Sequence, residues 1–234
     1  MQPGSRPFWM TAIQALSLLV FAVLYALFLV DLVTGLRSPI NWLSAIAAIP
    51  IGYLAADLAS GLVHWFCDSF LAIDTPVVGR LIIHPFREHH RDPMLMTRHD
   101  FIEVNGNVCL ALVPVLAIGW WLGPALGAGL IAVSLRAGFA AFLLAIFATN
   151  QIHFWAHAER RPRLVARLQR RGLILSPRHH ANHHQPGYAS TYCITSGWMN
   201  GVMDSQRLWD GCERIVAALG VPRALDEESL QEEP

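Results

Sequence analysis

The sequence predicts an all-α integral membrane protein: a bundle of about four transmembrane helices with a cytoplasmic, histidine-rich helical cap. Of the 234 residues, 54% are hydrophobic and only 15% are charged, whereas a soluble domain carries about 25% charged residues. The apolar residues form runs long enough to cross a bilayer. The eleven histidines lie at or just beyond the ends of those runs. We therefore expect the cap to hold a binding site.

Four apolar runs account for the predicted spans. They cover residues 10–32, 42–64, 108–123 and 137–155, and each reaches or approaches the ~20 residues that cross ~30 Å of hydrocarbon. The first run lacks a clear cleavage site, which favours a retained span over a signal peptide. Residues 122–136 fit either an apolar loop or a longer third helix, so three or five spans are the alternatives.

The distribution of arginine predicts the orientation. Four arginines lie between the second and third runs and ten lie between residues 160 and 223, whereas Arg37 and Arg136 fall on the opposite side. The positive-inside rule places the histidine-bearing segments and both termini in the cytoplasm. For a bacterial source, the bilayer would be the inner membrane. We expect one membrane-embedded domain over residues 1–225 and a disordered acidic tail over residues 226–234.

Cysteine spacing and net charge exclude several kinds of site. None of the four cysteines forms a CxxC pair, which argues against a disulfide framework, a thiolate zinc site and an iron–sulfur cluster. The formal net charge is zero, so a general attraction to nucleic acid is not expected.

Histidine spacing predicts a metal site. His153 and His157 are four residues apart and share one face of a helix. The motif HxxHH at residues 180–184 is expected to bring three more imidazoles together. His64 and Asp68 repeat the four-residue spacing with a carboxylate as the second member. A single HxxxH pair is common on ordinary surface helices, so the prediction depends on all of these clusters lying on one side of the membrane.

The number of candidate ligands predicts two ions. His89 and His90 are adjacent, so on a helix their side chains point about 100° apart and can serve different ions. Imidazole suits iron, zinc and copper, and no histidine cluster contains a thiolate. Eight or more candidates exceed the capacity of one ion. Asp57, inside the second run, is either a functional residue or a hydrogen-bond partner of a neighbouring helix.

Three stretches resemble the plasmanylethanolamine desaturases, which convert 1-O-alkyl phospholipids to vinyl ethers and include a chloroplast enzyme acting on a phosphatidylglycerol acyl chain. They are HPFREHHRDPMLMTRHDFIEVNGN at 84–107, NQIHFWAH at 150–157 and PRHHANHHQPGYASTYCITSGWMN at 177–200. The resemblance extends over residues 61–223. It covers nearly all the chain except the first span.

The resemblance implies a set of metal ligands. The histidine pattern of the family falls here on His64, His89, His90, His99, His153, His157, His180, His183 and His184. Five matching polar residues are expected to orient ligands or position water: Asp68, Asp100, Glu103, Asn107 and Asn150. His179 is a further candidate for orienting a ligand, a role that His99 also fits. His84 stands where the family has Arg, so we exclude it from the ligand set.

The resemblance also implies a reaction. Two non-haem irons, O2 and an external electron donor, either cytochrome b5-like or a ferredoxin, would form the C1′–C2′ double bond in the alkyl chain of plasmanylethanolamine. Arg87, Arg91 and Arg178 are candidate contacts for the phosphate of the substrate, although each also fits a purely topological role. The alternatives are an acyl-chain desaturase, a lipid hydroxylase, and a non-catalytic metal transporter or receptor. Transport favours ligands at mid-membrane, whereas these histidines lie at one end.

Overall fold

The computed structural model describes residues 7–76, 78–185, 188–221 and 223. Within these ranges the regular structure is helical, apart from one isolated antiparallel bridge between Phe70 and Arg223. The all-α prediction is therefore confirmed. The predicted acidic tail, residues 226–234, lies outside the described residues.

The α-helices follow one another without an intervening sheet in the described chain. In order they are α1 (Phe8–Thr34), α2 (Pro39–Ser69), α3 (His84–Arg91), α4 (Phe101–Leu122), α5 (Leu130–His157), α6 (Arg163–Arg170), α7 (Pro177–His183), α8 (Asn200–Met203) and α9 (Gln206–Ala218). Helices α1, α2, α4 and α5 are long and apolar enough to cross a membrane, so the predicted count of four spans is confirmed.

The uncertain stretch after the third span contains both a connection and a helix start. A 3₁₀ turn over Gly123–Leu126 follows α4, and α5 begins at Leu130. Proline and glycine in GPAL end α4, because proline cannot donate to the helical hydrogen-bond ladder. Three helices extend beyond the apolar runs at the ends that carry polar residues: α2 continues to Ser69, α4 begins at Phe101 and α5 ends at His157.

The chain separates into two compact units, described here one at a time: unit 1, residues 1–56 and 98–154, and unit 2, residues 57–97 and 155–234. The expectation of one domain over residues 1–225 stays a prediction.

Unit 1 has an aliphatic and aromatic core supplied by all four long helices. Phe28 is buried and meets Phe139 edge-on at 6.0 Å between ring centroids, while Phe21 stacks on Phe147 at 5.4 Å. The buried core residues are Phe21, Phe28, Leu32, Ala45, Ala48, Cys109, Leu112, Leu116, Val133, Ala137, Ala140 and Leu143. Helices associate in lipid through close van der Waals packing, which small residues permit.

Polar side chains tie the helices of unit 1 together at the level of α4's first turns. Gln14 donates to the Oδ1 of Asn107 at 3.0 Å, and the Ser17 hydroxyl donates to the Gly106 carbonyl at 2.8 Å. A Cβ at Gly106 would lie 2.4 Å from the Cβ of Gln14, so glycine is needed for this approach. Near the other end of α1, Asp31 pairs with Arg136. Such hydrogen bonds are favourable where water is excluded.

Unit 2 packs aromatic side chains around an irregular segment, residues 188–199. Trp209 lies 5.1 Å from the ring centroids of both Trp65 and Tyr192. Residues 192–197 are all buried although they belong to no helix. Their backbone groups therefore need partners inside the protein.

We predict that Gly52→Ala destabilises unit 1, because its Cβ would lie 2.0 Å from the backbone carbonyl oxygen of Gly138. Overpacking of this kind costs about 1–3 kcal/mol, so the detergent-solubilised variant should melt several degrees below wild type. Gly138→Ala is the matched control, since its Cβ would lie 3.5 Å from the Ala48 oxygen, an ordinary contact. Equal melting temperatures for the two variants would contradict the close approach of α2 to α5.

Candidate metal centre

Four helices present histidines to unit 2. His64 lies near the end of α2, His157 is the last residue of α5, and His89 and His90 lie in α3. The remaining imidazoles come from α7 and the residue that follows it. Ser176 caps α7 by accepting from the His179 N–H at 3.2 Å, and proline occupies the first helical position, a favourable start for a short helix.

The first cluster, called the imidazole group, consists of His89, His157, His180 and His184. Its ligand atoms all lie within 4.8 Å of one another. The Nε2 of His184 lies 3.2 Å from the Nε2 of His89 and 3.0 Å from that of His180. His153 is buried on α5 one turn before His157, so the two share a helix face.

The second cluster, called the carboxylate group, consists of His64, Asp68, His90 and His183. The carboxylate oxygens of Asp68 lie 3.4, 3.3 and 3.6 Å from the Nε2 atoms of the three histidines in that order. The Nε2 atoms of His90 and His183 are 3.4 Å apart. His64 and His183 are fully buried. Three nitrogen donors and one carboxylate thus face one point.

The spacing of these nitrogens fits one metal ion in each group. Two ligands about 2.1 Å from an ion lie about 3.0 Å apart at a right angle and about 3.4 Å apart at a tetrahedral angle. The measured separations span 3.0 to 3.4 Å. A ring nitrogen of neutral imidazole offers either one hydrogen or one lone pair, so the Nε2 of His184 cannot satisfy two neighbours by hydrogen bonds alone. An ion would accept lone pairs from all three.

Backbone carbonyls orient two rings of the carboxylate group. The Nδ1 of His183 lies 2.8 Å from the Ser190 oxygen, and the Nδ1 of His64 lies 3.1 Å from the Tyr192 oxygen. A carbonyl only accepts, so each Nδ1 carries the hydrogen and each Nε2 carries its lone pair toward Asp68. This outer hydrogen bond is the usual support of a metal-binding histidine.

Burial favours the neutral form of four histidines of the cap, His89, His180, His183 and His184. Desolvation, helped by neighbouring histidines, lowers the pKa of His89 and His180, and it lowers the pKa of His184 to about 3. Desolvation also lowers the pKa of His183, although the carboxylate of Asp68 opposes the shift. Only the neutral ring has a lone pair for a metal. These four imidazoles therefore present a lone pair at neutral pH.

The structure divides the HxxHH motif, contrary to the expectation from spacing that its three histidines converge. His180 and His184 enter the imidazole group and His183 enters the carboxylate group. Three residues correspond to 300° around a helix and four to 400°, so the second and third histidines of the motif point about 100° apart. The same angle sends His89 and His90 to different groups, as their adjacency predicts.

Several of the predicted site residues belong to unit 1. His99 is placed beside Glu103, with 3.9 Å between Nε2 and Oε1, and it belongs to neither group found among the described residues. Asp100 caps α4 by accepting from the Glu103 N–H at 2.9 Å. Asn150 donates to the Val104 carbonyl at 3.1 Å. With the Gln14–Asn107 bond, these contacts join residues of unit 1 to one another. The ligand role of His99 and the supporting roles of Asp100, Glu103, Asn107 and Asn150 stay predictions.

Two further histidines have other surroundings. His84 is half exposed, and its Nδ1 lies 3.5 Å from the Oε2 of Glu88. The Nε2 of His179 accepts from the Asn200 amide at 2.9 Å. A Cβ at Gly197 would approach that ring to 2.7 Å. Through Asn200, His179 therefore contacts the end of the irregular segment.

The arginines proposed to bind phosphate differ in exposure. Arg87 is 4% exposed, and its guanidinium donates to the carbonyl oxygens of Phe70 and Leu71. It therefore holds the chain that follows α2, and it does not offer its charge at the surface. Arg91 and Arg178 are exposed, so for these two a head-group contact stays a prediction.

Sequence reasoning underestimates the role of two carboxylates. It gives Asp68 only a supporting role, whereas the oxygens of Asp68 face three histidines. The available signal is its four-residue spacing from His64. For Asp57 the sequence allows either a functional role or a bond to another helix. Asp57 is fully buried, and its carboxylate accepts from backbone N–H groups of the irregular segment, including Ser196 at 2.7 Å and Met199 at 2.9 Å.

Comparison with known proteins relates most of the chain to one family. The profile of the lipid desaturase domain matches residues 53–224. A plasmanylethanolamine desaturase of Myxococcus xanthus is 44% identical over 176 residues, which cover 75% of this chain and 61% of that protein. Mouse plasmanylethanolamine desaturase 1 is 37% identical over 231 residues, 96% of this chain and 82% of that protein.

A plant protein is also similar. The chloroplastic fatty acid desaturase 4 of Arabidopsis thaliana is 36% identical over 183 residues, 75% of this chain and 53% of that protein. The match therefore spans less than two thirds of the bacterial and plant relatives. No solved structure matches the chain.

We predict that His184→Ala and His183→Ala each remove about half of the metal bound by reconstituted protein, because each breaks a different four-ligand group. Elemental analysis of protein loaded with Fe²⁺ without oxygen measures this. His84→Ala is the control and should retain the wild-type metal content. Full metal content in either of the first two variants would remove that histidine from the ligand set.

Proposed function

The chain belongs to the lipid desaturase domain family, and on that premise we propose that it is an O2-dependent di-iron desaturase. Its substrate in this proposal is plasmanylethanolamine, and its product is the vinyl-ether lipid plasmenylethanolamine. The observation that carries the proposal is the pair of histidine-rich groups, each with the donor set and spacing for one ion.

The two groups are close enough to form one dinuclear centre. His89 and His90 are neighbours in the chain but belong to different groups, and so are His183 and His184. The ring centroids of His90 and His184 are 5.4 Å apart. Two ions held by these residues would act on the same substrate atoms. His153, one turn from His157 on the same helix face, is also a proposed iron ligand.

The donor set favours iron for this chemistry. Imidazole and carboxylate suit iron, zinc and copper, but desaturation also needs a metal that changes oxidation state. When bound, a pair of irons supplies with O2 an oxidant strong enough to remove hydrogen from an unactivated methylene. Overall, the lipid loses two hydrogen atoms. Together with two electrons and two protons from outside, they reduce O2 to two molecules of water. The electrons come from a separate carrier, cytochrome b5-like or a ferredoxin.

The protein's own residues hold and orient the reactants. Burial favours the neutral form of His89, His180 and His184. The carbonyls of Ser190 and Tyr192 fix the tautomers of His183 and His64. Fixed ligands hold the reacting centre in one position, so that vicinal hydrogens of a bound chain can be presented to it. The four long helices make the chain a multi-pass membrane protein. A phospholipid substrate is therefore present in the same bilayer.

Location favours reaction near the glycerol end of the lipid. The histidines lie at or beyond the ends of apolar helices, where the head groups of a bilayer are found. The C1′–C2′ bond beside the ether oxygen is closer to that level than a bond deep in the chain. The arginine distribution supports a cytoplasmic location for these helix ends. Arg91 and Arg178, both exposed, are the proposed contacts for the substrate phosphate.

A second substrate class is favoured by the plant relative, which is named a fatty acid desaturase. An acyl chain bound in the same way would be oxidised near its ester, so location alone does not separate the two substrates. Hydroxylation is the remaining chemical alternative. Metal transport or reception is a weaker alternative, because the ligands gather at helix ends and do not follow a path across the bilayer.

We predict that the purified active protein contains about two irons per chain, one for each four-ligand group. Elemental analysis after anaerobic, iron-supplemented expression gives the ratio. One zinc per chain together with full activity would refute the di-iron assignment. Inactive protein that contains zinc is not a test, and such a sample must first be reloaded with iron.

We predict that cells expressing the chain and fed alkyl-glycerol release a fatty aldehyde from their phospholipids on acid treatment. A vinyl ether is acid-labile, whereas an unsaturated ester does not give an aldehyde. The host should lack plasmalogens, and lipids are measured by mass spectrometry. His180→Ala should abolish the signal and His84→Ala should retain most of it.

The alternatives predict different products. An unsaturated acyl chain without aldehyde would identify the acyl substrate, and a hydroxylated chain would identify the hydroxylase. Unchanged lipid, despite loaded iron and a working electron donor, would contradict the enzymatic function itself.

A further inference from the structure

The irregular segment of unit 2, residues 188–199, supplies the carbonyls that orient two metal-group histidines, yet its own conformation is unfavourable. Thr191 has φ 58° and Tyr188 has φ 42°. This left-handed region is costly for side-chain-bearing residues, most of all for a β-branched one. Residues 192–197 are buried without helix or strand, so their backbone N–H groups must find acceptors inside the protein.

One face of α2 supplies most of these acceptors, beginning with Asp57. Its Oδ1 accepts from the N–H groups of Thr195, Ser196 and Gly197 at 3.1, 2.7 and 3.0 Å. Its Oδ2 accepts from the Met199 N–H at 2.9 Å. Four donors on one fully buried carboxylate account for its charge inside the protein, because hydrogen bonds to an ionised group are roughly twice as strong as neutral ones.

The contact between α2 and the segment continues along the same face of the helix toward His64. The Ser60 hydroxyl accepts from the Ile194 N–H at 3.1 Å. At Gly61 an added Cβ would lie 2.4 Å from the Sγ of Cys193, so this glycine allows the segment to lie against the helix. His64 then donates to the Tyr192 carbonyl. These α2 residues, three or four apart on one face, follow the segment in reverse order.

Asp204 holds the other end. Its Oδ1 accepts from the Thr191 N–H at 2.9 Å, directly after Ser190, whose carbonyl accepts from the Nδ1 of His183. The Tyr192 carbonyl therefore lies between the two anchored stretches, and the Ser190 carbonyl belongs to the same peptide unit as the N–H that Asp204 accepts. Asp57 and Asp204 are bonded to the backbone of the segment, and neither is a member of a metal group.

We propose that Asp57 and Asp204 are positioning residues for the carboxylate group. By fixing the backbone of the segment they set the rings of His64 and His183, and through them the retention of the ion in that group. This inference rests on the two-ion assignment proposed above. Both oriented histidines belong to the carboxylate group, so weakening either anchor is expected to release one ion in preference to the other.

The test is the release of iron from the full-length, anaerobically loaded protein in detergent to a ferrous chelator. At position 57 both carboxylate oxygens accept from the segment, and asparagine keeps the shape but replaces one of them by a donor. At position 204 one oxygen accepts from the Thr191 N–H and asparagine would keep that bond, so alanine is used there. For Asp57→Asn and for Asp204→Ala we expect one of the two irons to leave about 10–100-fold faster, the effect typical of a lost supporting contact. The second iron should leave at the wild-type rate. Asp210→Asn, on the exposed side of α9, is the matched control and should match wild type.

A rescue variant separates positioning from general stability. Glycine adopts positive φ without strain, and the Thr191 hydroxyl makes no hydrogen bond in the described chain. Thr191→Gly in the Asp204→Ala background should therefore restore slow release of the labile iron. If Asp57→Asn does not fold, Ser60→Ala removes a single acceptor from the same contact and should show the same selective release to a smaller extent.

The results that overturn the inference are distinct. Wild-type release of both irons from folded Asp57→Asn and Asp204→Ala protein would show that the anchors do not position the ligands. Equal acceleration of both irons, without rescue by Thr191→Gly, would show a general structural role. If wild-type protein binds only one ion, the di-iron function fails by itself. The inference would then fail only if the release of that ion were unchanged in the variants.

Discussion

Several imidazoles must lie within a few ångströms of one another, remain neutral, and direct their lone pairs inward. This requirement governs most of unit 2. Burial in a water-poor cap lowers the pKa of histidines such as His184, because the charged form loses its solvation. Carbonyls of the backbone then select the tautomer of His64 and His183. The cost of burying these polar rings is acceptable only if an ion, or each other, provides the missing partners.

The requirement for outer carbonyls explains why an irregular segment is buried. Helical carbonyls are already committed to the helix, so residues 188–199 must leave regular structure to accept from the ligands. Their own N–H groups then need acceptors, which Asp57, Ser60 and Asp204 provide. Arg87 has the complementary role after α2, where it donates to two carbonyls. Charged residues near the site thus act on the backbone and support the ligands indirectly.

Unit 1 is stabilised by a different set of interactions, namely close helix packing and hydrogen bonds between helices. Its helices pack through aromatic and small residues, and glycines at 52 and 106 allow backbones to approach closely. Polar ties such as Gln14 to Asn107 and Asn150 to the Val104 carbonyl compensate for the absence of a hydrophobic driving force between helices in lipid. Asn107 and Asn150, which lie in stretches that resemble the family motifs, thus hold helices of unit 1 to one another. Their predicted role in orienting ligands or positioning water stays a prediction.

The sequence by itself determined the all-α class, the four spans and the residue types of the metal site, because hydropathy and helical spacing are local properties. It also determined that His89 and His90 diverge, since 100° per residue is fixed by helix geometry. Only the tertiary structure decided that HxxHH divides between two groups, that Asp68 faces three histidines, and that Asp57 binds a segment about 140 residues later. Those outcomes depend on where the chain returns, and spacing within one helix carries no information about that.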